Sequence, residues 1–200
     1  EEKNITIFCE DCLEVMRSIL DKSVDLILTD PPFGIGNFVQ TTGHVRGEKV
    51  SWNDEIPSQE YFSEMRRVSK NRIIWGANYF NCFENGGAIV WVKNQPMPDF
   101  SKAEIASCSL HKKVEIYEQT WTNFVNTKVT EHPAERPIEL YIWCLENYSK
   151  KGDLILDPFL GSGTVARACK NLGRKCIGIE ISEVYVKIAI KRLAQEVLPL

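Results

Sequence analysis

The sequence lacks the features of a membrane or secreted protein. No run of eighteen apolar residues occurs among its 200 residues, which argues against a transmembrane helix. Its start shows no basic segment followed by an apolar one, so no secretory signal is expected. Its seven cysteines are an odd number in a chain too large to need disulfide staples, which favours a reducing compartment. We therefore expect a cytoplasmic protein without membrane contact.

A large excess of charge is also missing. The chain has 24 Lys and Arg residues against 27 Asp and Glu, a formal net charge of −3. This balance argues against a protein held to nucleic acid by bulk charge, although it leaves room for a local basic groove. With 44% hydrophobic residues the chain can bury a core, and its length fits a single domain over residues 1–200.

Two other chemistries lack the residues they need. Cys9 and Cys12 form one C-x-x-C pair, but no second pair completes a zinc site and the three histidines are scattered, so no metal is predicted. No Pro-Cys pair supplies the nucleophile of cytosine C5 methylation. A thioredoxin-like redox role for Cys9 and Cys12 stays open, beside the interpretation that both are small buried side chains flanking Asp11.

Apolar segments alternate between strand-like and helix-like periodicity. Strands are predicted at 5–8, 24–29, 72–75, 88–92, 114–121, 153–156 and 175–179, and helices at about 11–20, 58–68, 137–145, 163–172 and 182–196. This alternation implies βαβ crossovers and a doubly wound, mostly parallel α/β sheet. Ligands of such sheets bind beyond the carboxyl ends of the strands. The irregular, glycine-containing stretch 34–56 interrupts the pattern, and we expect it to be a mobile lid.

One predicted strand ends in a glycine-rich turn. Its residues are Asp157, Pro158, Phe159, Leu160, Gly161, Ser162, Gly163 and Thr164. Glycines allow a ligand to approach the backbone, and Glu180, at the end of the next strand, can accept hydrogen bonds from ribose hydroxyls. Because Asp157 would repel a pyrophosphate, the turn suits a nucleoside joined to a cationic or amine-bearing group. A nicotinamide or flavin site and a ligand-free turn are the alternatives.

A second predicted strand ends in the tetrad Asp30, Pro31, Pro32 and Phe33. The two prolines fix the backbone, so that the Asp30 carboxylate and the Pro31 carbonyl point the same way. Two adjacent acceptors suit an exocyclic amino group, and Phe33 offers a face for a base to stack on. Such hydrogen bonds direct the lone pair of the amine towards an electrophilic methyl group. The alternative is a simple strand terminator with a capping aspartate.

Together, these motifs resemble those of the S-adenosylmethionine-dependent DNA amino-methyltransferases. The tetrad is similar to their catalytic [DNS]-P-P-[YFW] motif, and residues 157–164 are similar to their cofactor motif. The catalytic motif comes first, which is the permuted order of the β class. Residues 68–80 and 132–137 also resemble small phage and prophage adenine methyltransferases.

The resemblance implies a role for each matching residue. Asp30 and the Pro31 carbonyl would hold the target amine, while Phe33 would stack on the flipped base. Asp157 would lie near the methionine amino group of the cofactor, and Glu180 would bind its ribose. Other cofactor contacts are implied for Asp11, Cys12, Asp30, His132, Arg136, Pro137, Pro158, Phe159, Gly161, Gly163, Thr164 and Ile181.

The chain departs from the family pattern in one motif. The usual H-P-T-Q-K-P becomes H-P-A-E-R-P at 132–137, and we expect Arg136, in place of lysine, to reach the methionine carboxylate. The resemblance is weakest at about 93–131, where a small target-recognition region is predicted.

The permuted motif order also predicts a topology. The implied class I methyltransferase (Rossmann-like) sheet has the order 3-2-1-4-5-7-6 in family strand numbering. In it, strand 5–8 lies beside strand 175–179, the strands that end at Asp30 and Asp157 are central neighbours, and strand 114–121 is antiparallel.

We therefore expect methyl transfer from S-adenosylmethionine to the N6 of an adenine flipped out of DNA. Asp30 favours adenine over the N4 of cytosine, because the family's N4 enzymes more often carry serine there. N4-cytosine methylation remains an alternative, as do a catalytically silent nucleic-acid-binding subunit and glutamine methylation of the release-factor type. The oligomeric state is left open, with a homodimer among the alternatives.

Overall fold

A computed structural model describes residues 4–34, 55–94, 101–119 and 136–194. Its strands are β1 (Ile5–Phe8), β2 (Val24–Thr29), β3 (Ser69–Trp75), β4 (Ala88–Val92), β5 (Ala103–Cys108), β6 (Val114–Glu118), β7 (Leu154–Asp157) and β8 (Lys175–Ile179). Its helices are α1 (Cys12–Ser18), α2 (Gln59–Val68), α3 (Ala77–Phe80), α4 (Ile138–Tyr148), α5 (Thr164–Leu172) and α6 (Glu183–Ala194). Most of the predicted lid, part of the predicted target-recognition region and His132 lie outside the described residues.

The strands form a single sheet with the order β1-β8-β7-β2-β3-β5-β4-β6. β1 runs parallel to β8, with Ile5 opposite Cys176, and β2 runs parallel to β7, with Leu26 opposite Ile155. Both neighbour relations predicted from the permuted motif order are thus confirmed. The first seven strands of this order match the expected family arrangement, and β6 adds an eighth strand at the edge.

The prediction of an antiparallel strand at 114–121 is wrong. β6 pairs in parallel with β4, with Ala88 opposite Val114. The antiparallel strand is β5, which lies between β3 and β4 and opposes both of them. β5 has no strong apolar run or alternation, so its sequence carried little strand signal, and its direction depends on partners distant in the chain.

β2 is the central strand that places the tetrad. Leu26 and Leu28 enter the apolar cluster on one face of the sheet, and Ile27 enters the cluster on the other face. A strand buried on both faces has the apolar sequence expected of a doubly wound sheet. After Thr29 the chain leaves β2 at the carboxyl edge, where Asp30 begins the tetrad.

Helix α1 begins at Cys12, close to the predicted start of a helix at about residue 11. Asp11 caps this helix by accepting a hydrogen bond from the Leu13 N–H at 2.8 Å. Among the described helices, none has the length and apolarity needed to cross a bilayer.

The burial of β2 yields a test of the fold. Leu28→Ala removes a fully buried side chain and should lower the free energy of unfolding by about 2–5 kcal/mol in urea titrations. The matched control is Leu20→Ala, because Leu20 is 77% exposed and its loss should change stability by less than about 0.5 kcal/mol. Equal losses in the two variants would contradict the central placement of β2.

Candidate active site

The pairing of β2 with β7 brings the two sequence motifs together. Thr29, the last residue of β2, donates its hydroxyl to Asp157 Oδ1 at 2.7 Å. Both side chains are buried, so this hydrogen bond is shielded from water. The Asp30 tetrad and the glycine-rich turn therefore start from adjacent points on one edge of the sheet.

The environment of Asp157 disfavours the ionised form of its carboxyl group. Burial raises its pKa to about 7, and the charges of Asp30 and Glu180 act in the same direction. The Thr29 hydroxyl and the Phe159 N–H, both of which donate to Oδ1, partly offset this rise. A cation placed beside Asp157 would restore its ionised form.

The glycine-rich turn and Glu180 form one hydrogen-bonded unit. The Gly161 N–H donates to Glu180 Oε2 at 2.9 Å, and the Ser182 N–H donates to Oε1 at 2.8 Å. Gly163 has φ +84°, and a Cβ there would lie 2.8 Å from the Cβ of Ala189, so a larger residue would force the turn away from α6. These contacts orient the carboxylate at the end of β8.

The surroundings of this turn fit a nucleoside that carries a positive charge. Asp157 and Glu180 supply carboxyl groups at the ends of two neighbouring strands. The apolar side chain of Ile181 is 73% exposed, and Phe159 is half-buried. An apolar ring system can cover such surfaces, whereas the acidic strand ends oppose a pyrophosphate.

Asp11 has a partner that the sequence did not reveal. The Tyr61 hydroxyl, on α2, lies 3.2 and 3.1 Å from the two carboxylate oxygens of Asp11. The Tyr61 ring centroid is 6.1 Å from that of Phe159, so Tyr61 connects Asp11 to the glycine-rich turn. No sequence signal identified this contact, because the two residues are fifty positions apart.

The C-x-x-C pair does not have the environment of a redox centre. Cys9 is exposed, Cys12 is buried, and both are free thiols. Burial and the Asp11 carboxylate raise the pKa of the Cys12 thiol, whereas redox-active thiols have a lowered pKa. The structure therefore argues against a redox pair, but the interpretation that both side chains are buried is correct only for Cys12 and wrong for Cys9.

Arg136 contacts the predicted catalytic acid. Its Nε donates to Asp30 Oδ2 and its Nη2 donates to Asp30 Oδ1, each at 2.6 Å. Its Nη1 forms an ion pair with Glu104, which in turn pairs with Lys93. The expected contact of Arg136 with a methionine carboxylate stays a prediction, and Glu104 and Lys93 were missed because they lie in a stretch without a recognised motif.

Phe33 belongs to an aromatic stack. Its ring lies 4.7 Å from that of Tyr79 with an interplanar angle of 13°. Its edge meets the backbone of Gly76, where an added Cβ would collide with the ring. Tyr79 is 41% exposed, so the stack reaches the protein surface.

Most of the predicted site residues lie along this edge. Pro31 is buried directly after Asp30, and Pro137 precedes α4 beside Arg136. Pro158 and Thr164 are buried within and at the end of the glycine-rich turn. No group of His, Cys, Asp or Glu side chains in the described ranges is arranged to hold a metal ion.

Solved structures identify the fold as that of a methyltransferase. The M1.HpyAVI–SAM complex superposes with a TM-score of 0.65 at 22% identity, covering 94% of this chain and 100% of that one. The PvuII DNA methyltransferase (cytosine-N4-specific) gives 0.67 at 16% identity, covering 98% and 89%. TTHA0409 of Thermus thermophilus, complexed with S-adenosyl-L-methionine, gives 0.59 at 20% identity, covering 94% of each chain.

A family model and similar proteins indicate which kind of methyltransferase this chain resembles. The family model for N6/N4 methyltransferases, described as DNA methylase, matches residues 93–191. Type II methyltransferase M.HpaI of Haemophilus parainfluenzae is 25% identical over 95% of this chain and 74% of its own length. Type II methyltransferase M2.DpnII of Streptococcus pneumoniae is 28% identical over 93% of this chain and 88% of its own. These matches confirm the expected class of enzyme, a DNA methyltransferase of the N6/N4 type.

The contact of Gly76 with Phe33 can be isolated with a matched pair of variants. Gly76 and Gly86 have nearly the same backbone strain for alanine, with φ of +74° and +75°, but a Cβ at Gly86 meets no atom within 4 Å. Gly76→Ala should therefore lower the free energy of unfolding by about 1–3 kcal/mol more than Gly86→Ala, because only the former displaces Phe33. Equal urea midpoints would show that Phe33 does not depend on Gly76.

Proposed function

We propose that this protein transfers a methyl group from S-adenosylmethionine to the exocyclic N6 of an adenine flipped out of DNA. The hydrogen bond between Thr29 and Asp157 carries this proposal, because it joins the base-binding tetrad to the cofactor turn. A target amine at Asp30 and a donor at Asp157 would approach each other at one sheet edge. Bringing two reactants together in this way is the main source of rate in such a transfer.

The residues of the turn fit S-adenosylmethionine. When bound, the cofactor supplies an electrophilic methyl group on a sulfonium sulfur. In this proposal Glu180 accepts hydrogen bonds from the ribose, and Asp157 faces the methionine ammonium. Phe159 and Ile181 supply apolar surface for the adenine ring. Two of the similar solved structures were determined with this cofactor, which supports the assignment.

The tetrad would orient the target amine. Asp30 and the Pro31 carbonyl accept the two amine hydrogens, so that the nitrogen lone pair faces the methyl group. This arrangement acts by position and electrostatics, and it forms no covalent bond to the protein. The aromatic stack of Phe33 and Tyr79 offers the flat surface against which the flipped base packs.

N4-cytosine methylation is the second candidate. It is favoured by the likeness to the PvuII methyltransferase, which has the same fold and is cytosine-N4-specific. Adenine is preferred because Asp30, rather than serine, stands first in the tetrad. The two amines present the same pair of hydrogens, so the fold alone does not discriminate between them.

The first test measures the product of methyl transfer. Purified protein, labelled S-adenosylmethionine and unmethylated duplex DNA should yield N6-methyladenine, detected by mass spectrometry after digestion to nucleosides. Asp30→Ala should lower the rate by about 10²–10³-fold or more, because it removes a preorganised acceptor. Asp25→Asn is the control, since Asp25 lies in β2, the strand that precedes Asp30, but pairs with Lys70.

Each other outcome of this test has a definite meaning. Detection of N4-methylcytosine would support the same mechanism but show that the target base is cytosine rather than adenine. An undiminished rate in Asp30→Ala would overturn the role of the tetrad. Cofactor binding without any methylated base would favour the catalytically silent subunit.

The raised pKa of Asp157 predicts a pH-dependent affinity. With a pKa of about 7 in the free protein, Asp157 is increasingly protonated below that pH, and a cationic ammonium binds the ionised form. S-adenosylmethionine affinity should therefore fall up to about tenfold per pH unit below about 7, with proton release on binding near neutrality. Calorimetry in buffers of different ionisation enthalpy measures both effects.

Asp157→Asn is the matched variant for this measurement. It keeps the size of the side chain and removes its titration, so affinity should be weaker and nearly independent of pH. A pH dependence that persists in Asp157→Asn would assign the titration to another group, such as Glu180.

A further inference from the structure

The guanidinium of Arg136 is buried among carboxylates at the catalytic edge. Its side chain is only 5% exposed, and each of its three nitrogens faces Asp30 or Glu104. The Asp30 side chain nevertheless keeps 21% of its surface exposed. Arg136 therefore contacts the acid without sealing it from a second ligand.

We propose that Arg136 is a positioning residue for methyl transfer, which fixes the orientation of the Asp30 carboxylate and keeps it ionised for the target amine. This inference rests on the proposed function, because it assigns the acceptor role to Asp30. It differs from the sequence-based expectation, in which Arg136 binds the methionine carboxylate.

The geometry of the pair supports an orienting role. Two nitrogens of one rigid guanidinium contact the two oxygens of Asp30, so the plane of the carboxylate is held by two points. An ionised carboxylate has about four acceptor sites, and this pair uses one on each oxygen. The contact with Arg136 thus leaves acceptor sites on both oxygens, and the partial exposure of Asp30 would let an amine reach them.

The surroundings of Arg136 explain why arginine suits this position. Its third nitrogen pairs with Glu104, and Lys93 pairs with the other oxygen of Glu104. Two cations therefore alternate with two carboxylates, which compensates the burial of Arg136. The rings of Trp75 and Trp91 lie 5.2 and 5.8 Å from the guanidinium carbon. Lysine, a single point charge, cannot hold both acids in fixed directions.

The charges around Asp30 make Arg136 the main counterion. Burial raises the pKa of Asp30 and Glu104 adds to the rise, whereas Arg136 opposes it by charge and hydrogen bonds. The other ionisable groups facing Asp30 lie on three different elements: Lys93 after β4, Tyr141 on α4 and Asp157 on β7. Without Arg136, only the more weakly acting charge of Lys93 would oppose burial and the neighbouring Glu104 carboxylate, so the protonated form of Asp30 would be favoured.

A direct titration of Asp30 tests the charge effect without any need for activity. Protein labelled with ¹³C at aspartate carboxyl carbons is titrated by NMR, and Asp30→Asn assigns the signal. Arg136→Met should raise the pKa of Asp30, while Glu104→Gln should lower it, because it removes a neighbouring negative charge. Opposite shifts from two members of one cluster are not expected from general loss of structure.

The control for this titration is Arg72→Met. Arg72 also forms a nearly buried ion pair, with Glu84, but it makes no contact with Asp30. This variant should leave the pKa of Asp30 unchanged. The inference is overturned if the pKa of Asp30 is the same in wild type and in Arg136→Met. If Arg136→Met fails to fold, a rise in the pKa of Asp30 in Glu104→Gln overturns it.

Arg136→Lys separates orientation from charge. At saturating cofactor and DNA, kcat should fall about 10²-fold because the two-point contact is lost, while the acidic limb of the pH profile stays close to that of wild type. The dissociation constant of S-adenosylmethionine should change less than threefold, which corresponds to less than about 0.7 kcal/mol. Weaker cofactor binding with unchanged kcat overturns the inference in favour of a contact with the methionine carboxylate.

The NMR titration and the measurement of methyl transfer also separate this inference from the proposed function. If wild-type protein methylates no DNA base, the proposed function fails, and the NMR titration still decides whether Arg136 controls Asp30. If wild-type protein is active but the titration shows no effect of Arg136, only the positioning role fails.

Discussion

The buried hydrogen bond between Thr29 and Asp157 is the contact on which the site depends. It joins the last residue of β2 to the last residue of β7, two central strands whose residues are 128 positions apart. Because these strands are parallel, their carboxyl ends lie at the same edge, and the chain leaves both in the same direction. The tetrad and the glycine-rich turn therefore begin side by side at this edge, and the Thr29 hydroxyl holds the Asp157 carboxyl in place there.

Burial of charge is the second constraint on this edge. Asp30 and Arg136 form an ion pair in a largely dehydrated environment, where an unpaired charge would be strongly unfavourable. Glu104 and Lys93 complete an alternating set that neutralises the pair. Asp157, by contrast, has its pKa raised to about 7 by burial, and the charges of Asp30 and Glu180 add to this rise. One acid is thus already matched with a cation, while the other is poised to receive one.

Local patterns identified much of this protein. The strands that flank the site could be predicted from their sequence alone. Strands buried on both faces need nearly continuous apolar residues, and such runs are easily recognised. The two motifs could be recognised because each is a short continuous stretch. In the tetrad, prolines end β2, and in the glycine-rich turn, glycines precede a helix. β5 escaped because Ala103–Cys108 lacks such a run, and Glu104 was missed with it. Tyr61 and Tyr79 were missed as site residues because their partners are distant in the chain.

The sequence by itself determined the α/β class, most of the strands and the two motifs at the edge of the sheet, because each depends on local propensity or on a short stretch of residues. The order of the two motifs along the chain was sufficient for the neighbour relations of β1 with β8 and of β2 with β7. Only the tertiary structure decided that β5 is the antiparallel strand and that Arg136 pairs with Asp30. Only the tertiary structure, too, showed that Cys12, the second cysteine of the C-x-x-C pair, is buried beside the Asp11 carboxylate. Strand direction, ion pairing and dehydration are properties of groups brought together from distant parts of the chain. No window along the sequence contains both partners, and their energies therefore appear only when the sheet is assembled.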